Sequence, residues 1–297
     1  MDIHHLRIFT AVYRNRSFTR AAAELRISQP TVSEHMRKLE EELACQLFDR
    51  LGRTIVPTDK ADLLYPKACG IVDELLALPS EISDEEALIR GELVFGASTI
   101  PGTYIMPELI RRFRRIHPLV TFRVVVEDTQ QITAKVAEHS LLCGVVGAPP
   151  PSEAMSELLC EPFYEDELVF VAAPDYGAGA ELSPKKLAKQ QFILREEGSG
   201  TRRVMEALLE KMGVRLSAAN CAAVFGATAA VKEAAKTGLG IAVLSRIAVR
   251  EELASGALTA LMVAAPMRRS FYLLRHNKRS LPTAYRRFSE FLKNEVY

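Results

Sequence analysis

A chain of 297 residues that is 48% hydrophobic and 25% charged has the composition of a soluble globular protein and the length of two or three folding units. Its 38 Lys and Arg against 37 Asp and Glu leave a formal charge of +1. This excludes a protein that coats nucleic acid by bulk charge and leaves only basic residues gathered on one face. The start, MDIHHLRIFT, lacks the apolar run of a signal peptide, and no stretch reaches the roughly 18 apolar residues of a membrane span. The five cysteines are scattered without a CxxC pair, so neither a disulfide framework nor a zinc site is expected. A reduced, cytoplasmic setting fits best.

The first 90 residues read as helical. Leu6, Phe9 and Tyr13 recur at steps of three and four and predict a helix over about Ile3–Arg14. Ser17 is placed to cap a second helix, Phe18–Leu25, packed through Phe18, Ala21, Ala22 and Leu25. Ser28 caps a third, with Pro30 in the first turn, where its missing amide costs nothing. Val32, Met36, Leu39 and Leu43 form the buried stripe of that helix, leaving Thr31, Ser33, Glu34, Arg37 and Lys38 facing outward. Residues 47–58 read as two short extended segments around a tight Leu51-Gly52 turn. Thr58 then opens a long helix whose seam of Leu64, Ile71, Leu75 and Leu78 suits pairing with another helix. Pro66 is expected to kink it and Pro79 to end it.

Beyond Gly91 strand patterns at 92–97, 120–127, 142–147, 167–173, 221–225, 240–245, 258–263 and 270–275 alternate with helical patterns at 103–116, 130–138, 200–212, 228–237 and 281–294. The alternation predicts mostly parallel sheets flanked by helices. About 200 residues is large for one such sheet, so two lobes with a cleft between them are expected.

Two short helices, a turn at Arg26-Ile27-Ser28 and an outer helix with polar residues outward form a helix-turn-helix, and the strand pair behind it makes a wing. The outer helix fits the major groove of a DNA duplex, where Gln29, Thr31, Ser33 and Arg37 reach base edges or phosphates. Ser28, Pro30 and Glu34 complete that face. Arg50 and Arg53 flank the wing within reach of the backbone or minor groove, and Arg14, Arg16 and Arg20 add positive charge. The bland alternative is a three-helix interaction module with solvated charges.

Leu6-Arg7-Ile8-Phe9, Ser17-Phe18-Thr19-Arg20-Ala21-Ala22, Leu25, Ser28-Gln29-Pro30-Thr31-Val32-Ser33, Leu39-Glu40 and Leu47-Phe48-Asp49-Arg50 together resemble the LysR-type transcriptional regulators. The resemblance extends over the whole chain by length and element order. It implies an α+β multidomain protein with a winged helix-turn-helix at 1–58, a linker and dimerisation helix at 59–90, and an effector domain at 91–297. That domain would have two Rossmann-like lobes similar to periplasmic solute-binding proteins, lobe I at about 91–163 and 265–297 and lobe II at about 164–264. The resemblance also implies a homodimer or homotetramer, a double-stranded operator, contact with RNA polymerase and a small coinducer in the interlobe cleft. Two positions depart from the family pattern: Leu142, where an acidic residue is frequent, and Pro79 within the linker helix.

The residues suggest an anion site independently. Ser98-Thr99, Thr129-Gln130, Gly198-Ser199-Gly200-Thr201 and Thr228 all fall at strand-to-helix turns, where unpaired amides and a partial positive charge attract anions. One such hydroxyl would be an ordinary N-cap, but four around one cleft point to a ligand. The two glycines would let successive amides converge as a nest, without the Walker pattern. With Ala97–Tyr104 and Leu64-Tyr65-Pro66, this turn is similar to the LysR-type branch linked to sulfur and selenium metabolism. The similarity implies sulfite, sulfate, selenite or an O-acylated serine as effector and no other cofactor.

Catalysis is not expected. His4, His5, His35, His117, His139 and His276 include no H-x-x-H or H-E-x-x-H pair, and no G-x-S-x-G elbow occurs. His117, at a helix end before Pro118, reads as a charge complement to the helix dipole. Glu40-Glu41-Glu42 and Asp84-Glu85-Glu86 read as solvated helix faces, and Cys69 is the one candidate redox sensor. The runner-up function is a ligand-capturing solute-binding protein whose first 90 residues serve only in oligomerisation. A third reading, an enzyme holding phosphate in the Gly198 loop, lacks a nucleophile–base pair.

Overall fold

The computed structural model describes residues 2–51, 54–82, 89–151, 156–177, 179, 181–217, 220–263 and 267–294. The chain divides into two compact units, 1–89 with 278–286, and 90–277 with 287–297.

The first unit opens with α1 (Ile3–Asn15), α2 (Phe18–Leu25) and α3 (Gln29–Glu42). Each start is fixed by a side-chain oxygen taking an orphan amide: Asp2 from His4, Ser17 from Arg20 and Ser28 from Thr31. Asp2 is a cap that the sequence reading did not single out. Arg16 and Arg26 end α1 and α2 in the left-handed region, at φ 48° and 56°, where a non-glycine residue is uncommon. Phe9, Val12, Ala21, Val32, Met36 and Leu39 pack into one core. Leu43 departs from its expected place: α3 stops at Glu42, so Leu43 becomes its C-cap and is exposed. Strands β1 (Phe48–Leu51) and β2 (Thr54–Pro57) pair antiparallel with Leu51 opposite Thr54.

Helix α4 (Asp59–Ile82) continues past Pro79, so that proline does not end it as expected. Its first turns belong to the core of the first unit, where Ala61, Tyr65, Ala68 and Cys69 are buried. Tyr65 stacks on Tyr13 with ring centroids 3.8 Å apart. Leu64 packs against the same core, which withdraws it from the expected seam, whereas Leu63, Ile71 and Leu75 are exposed. The Leu78 side chain lies outside the described residues.

In the second unit β3 (Gly91–Ser98), β4 (Val120–Glu127) and β5 (Cys143–Val146) are parallel. They are flanked by α5 (Met106–Ile116) and α6 (Thr129–Ala137). Strand β6 (Leu158–Ala172) begins well before the expected residue 167. It is followed by β7 (Glu181–Leu182), the four-residue helix α7 (Pro184–Leu187) and β8 (Phe192–Arg195), none of which was expected. Then come α8 (Gly200–Lys211), β9 (Cys221–Phe225), α9 (Thr228–Lys236) and β10 (Ile241–Ser245). The unit closes with α10 (Arg250–Ser255), β11 (Thr259–Val263), β12 (Met267–His276) and α11 (Thr283–Asn294).

The strand order β4-β3-β5-β12-β6-β10-β8-β9 makes one continuous sheet. Its centre is the antiparallel pair β12 and β6, with Met267 opposite Leu168 and His276 opposite Leu158. Parallel strands lie on either side of this pair, and each side has its own core. Ile132, Val136, Leu141 and Val146 fill one, with the Phe288 ring in contact with those of Phe95 and Phe113 nearby. Leu168, Phe192, Met205 and Val243 fill the other. These are two lobes joined through two long strands. Strand β6 runs through the boundary expected at residues 163 and 164.

Candidate functional site

The outer face of the first unit carries the helix-turn-helix residues. Arg20, Ser28, Gln29, Pro30, Glu34 and Arg37 are exposed, and Thr31 and Ser33 are half-buried. The exposed side chains are already engaged locally. Gln29 donates to Ser33 Oγ at 2.8 Å, Arg37 pairs with Glu41, Lys38 with Glu34, and Arg20 donates to the Asn15 carbonyl. Such surface pairs exchange readily for phosphate or base partners because each is worth under about 1 kcal/mol. The Arg50 backbone lies in β1, but its side chain, like all of Arg53, falls outside the described residues.

In the second unit the carboxyl ends of strands on both lobes meet around a small cleft. Ser98, Thr99, Ile100, Asp128, Thr129, Gly147, Arg195, Ser199, Gly200, Thr201, Arg269 and Phe271 line it. Its innermost space is about 10 Å³, room for a single water-sized group, and the cleft is partly open to solvent. Six of the nine expected residues thus share one cleft. Thr228 reaches it through Arg195, whereas Gln130 is exposed, and Gly198 packs beside the cleft against Asp128.

The hydroxyls there are mostly not caps. Ser199 caps α8, but α6 is capped by Asp128 in a reciprocal box with Gln131, and Ala227 precedes α9 without a side-chain cap. Thr129 instead lies 3.4 Å from the Gly147 amide, Thr201 takes a hydrogen bond from Arg269, and Thr228 takes one from Arg195.

The glycines also act differently from expectation. Neither Gly198 nor Gly200 has positive φ, so the turn is not a left-handed nest. They permit close approach between lobes. A Cβ on Gly198 would meet the Asp128 carboxylate at 2.8 Å, and one on Gly200 would meet Thr129 Oγ1 at 2.7 Å and the Gly147 carbonyl carbon at 3.0 Å. The Gln130 amide donates to the Gly198 carbonyl across the same contact.

Two buried arginines are the residues that sequence reasoning missed. Arg195, at the end of β8, donates Nε and Nη2 to the Glu196 carboxylate at 2.7 and 2.6 Å. Its Nη1 donates to Thr228 at 2.5 Å, and its Nη2 lies 3.4 Å from Thr99. Arg269, on β12, donates Nε to Asp166 at 2.8 Å and Nη1 to Thr201 at 3.0 Å, and Asp166 also accepts from Ser245 at 2.7 Å. Burial lowers the Arg269 pKa from its ordinary value, opposed by the Asp166 carboxylate. Both arginines interrupt apolar strand patterns, Phe192-Ile193-Leu194-Arg195 and Arg269-Ser270-Phe271. A charge inside a strand that must be buried was the available signal.

His117 is corrected as well. It caps the end of α5 with its ring 4.6 Å from that of Phe113, and burial, then Arg287, lowers its pKa. Both act against the charged form that the expected complement to the helix dipole requires. Cys69 is buried. Among the described residues no group of three or more His, Cys, Asp or Glu could hold a metal, and no helix is long and apolar enough to cross a membrane.

Residues 3–62 match the family model for the bacterial regulatory helix-turn-helix protein, lysR family, and residues 86–296 match that for the LysR substrate binding domain. The chain is 33% identical over 293 residues to the transcriptional regulator YeiE of Escherichia coli K12, covering 98% of this chain and 97% of that protein. It is 32% identical over 300 residues to the RuBisCO operon transcriptional regulator of Allochromatium vinosum, covering 100% and 97%. Full-length OxyR from Pseudomonas aeruginosa superposes with a TM-score of 0.78 at 20% identity, covering 99% of this chain and 95% of that one, a likeness of fold.

Proposed function

The chain belongs to the LysR family of bacterial transcriptional regulators and is a DNA-binding regulator responding to a small effector; from that premise we propose that the effector is an anion held between the two lobes of the second unit. The observation that carries the reading is the pair of buried arginines, Arg195 and Arg269, in one cleft with Ser98, Thr99, Thr129 and Thr201. The start of α8 supports it, because the first-turn amides of Gly200 and Thr201 have no acceptor within their own helix.

Ligand atoms touching both lobes would favour one interlobe arrangement over another. Differential affinity of that kind is what shifts a conformational equilibrium. Helix α3 would lie in the major groove, with Gln29, Thr31, Ser33 and Arg37 toward the bases and Arg20 and Arg50 toward the backbone. Assembly as a homodimer or homotetramer on a two-fold operator, and contact with RNA polymerase, belong to the same proposal. The matched helix-turn-helix family at 3–62 weighs against a solute-capturing protein. The names of the relatives share no effector, so the ligand class is argued from the cleft. Sulfur and selenium oxyanions and O-acylated serines are the candidates.

Dye-based thermal shift against sodium salts of these anions, at matched ionic strength, tests the reading. Intrinsic indole fluorescence is not an option, since the chain has no Trp. A rise in melting temperature that Thr201→Val and Ser98→Ala diminish is expected. Shifts identical in wild type and both variants would remove the cleft as the sensor.

A further inference from the structure

We infer that the cleft is built for a compact oxyanion, a single central atom carrying three or four oxygens, and that Arg269 Nη2 is the donor that anchors it. The inference rests on the anion reading above and narrows it to one ligand class.

Arg269 Nη2 is buried and has no hydrogen-bond partner among the described residues. The side chain that carries it is 3% exposed. A sealed guanidinium nitrogen with free N–H groups costs stability comparable to a lost hydrogen bond, and more because it is charged. The acceptors beside it are already engaged: Asp166 takes Nε and Thr201 takes Nη1. The guanidinium carbon also lies 4.7 Å from the centre of the Phe271 ring, and the acceptor that Nη2 lacks is one that a ligand oxygen in the cleft can supply.

The charges around the cleft decide what sort of acceptor. Asp166 faces Arg269, Glu196 faces Arg195, and Asp128 accepts the Gln131 amide at 2.8 Å. Little uncompensated positive charge remains to draw a bulky polyanion. The cleft offers convergent donors at short range: Nη2 of Arg269, the first-turn amides of α8, and the hydroxyls of Ser98 and Thr99. Several acceptor oxygens on one small centre match that pattern.

Size decides the rest. The lobes already touch around the cleft, with Gly198 against Asp128, Gly200 against Thr129 and Gly147, and Arg203 donating to the Pro149 carbonyl at 2.9 Å. The innermost space of about 10 Å³ between them is roughly that of one water site, and the cleft is partly open to solvent. A four- or five-atom oxyanion fits with a small separation of the lobes. A bulkier acylated amino acid would need a wider separation of the lobes, and it would also bring an ammonium group toward two arginines.

Isothermal titration of the full-length chain with sodium sulfite, sodium selenite, sodium sulfate and O-acetylserine, at one pH and ionic strength, tests the inference. At least one inorganic oxyanion is expected to bind ten times or more tighter than O-acetylserine. Arg269→Lys, which keeps a charge for Asp166 but loses the fork, should weaken that oxyanion roughly ten- to hundredfold. Thr201→Val, which loosens Nη1, should weaken it in the same direction, and a wild-type circular dichroism melt for that variant separates this effect from misfolding. O-acetylserine binding as tightly as the best oxyanion would overturn the size assignment while leaving an anionic effector standing. Oxyanion affinity unchanged in both variants would overturn the anchor. No binding by any of the four would overturn this inference, and an absence of thermal shift with larger anions as well would take the underlying reading with it.

Discussion

At Arg269 a buried cation meets a buried anion, Asp166, with both side chains 3% exposed. Desolvation makes such a pair a weak source of net stability, yet removing one partner strands the other charge and costs about 3–5 kcal/mol. Asp166→Asn is therefore expected to lower the melting temperature by roughly 6–20 °C, at about 2–4 °C per kcal/mol for a unit of this size. A calorimetric melt within about 2 °C of wild type would show that Arg269 is not held as described. Arg37 is the opposite case. Its partner Glu41 sits one turn along α3, and both side chains are about 60% exposed, so the pair contributes only about 0.3–0.5 kcal/mol. Arg37→Ala should leave the melt nearly unchanged and weaken operator binding by about 1–3 kcal/mol. Unaltered affinity in a gel-shift titration at fixed salt would take Arg37 out of the DNA contact.

At the scale of elements, the start of α8 shows how far the sequence could be read. Gly198-Ser199-Gly200-Thr201 is conspicuous in any helical pattern, and its place beside the cleft follows from strand-to-helix alternation. The reason for the glycines does not, because a lobe-to-lobe distance is a property of two segments about 70 residues apart. The short strands β7 and β8 escaped for a related reason. Two and four residues are too few to display a period, and β8 is recognisable only as a partner of β10 and β9. Missing β8 meant missing Arg195. By contrast α1 to α3 were legible nearly to the residue, because caps, proline and a full apolar stripe all act within one or two turns. The contact at Gly200 can be probed against an internal control. Gly200→Ala places a methyl 2.7 Å from Thr129 Oγ1, whereas a Cβ on Gly226 would meet nothing within 4 Å. Gly200→Ala should weaken the bound oxyanion at least tenfold and Gly226→Ala should not, as read by titration calorimetry. Equal effects of the two would mean that the lobes do not close on Gly200.

For the whole molecule, helix α4 leaves Leu63 65%, Ile71 45% and Leu75 41% exposed. Exposed apolar residues eight and four apart on a long helix imply a partner helix. Leu64 is not among them because it packs against the core of the first unit, a detail that periodicity alone cannot supply. Ile71→Glu is expected to dissociate the assembly, seen as a lower mass by light scattering at micromolar concentration with helix content retained. An unchanged mass would place the interface elsewhere.

On the proposed function, an anion between the lobes of the second unit governs how the first unit holds DNA. Genomic fragments retained by the purified chain supply an operator, and its affinity by fluorescence anisotropy, with and without the oxyanion that binds best, tests the claim in wild type and Arg269→Lys. The anion is expected to change wild-type operator affinity several-fold and to leave that of Arg269→Lys unchanged. An equal response in both proteins would contradict it.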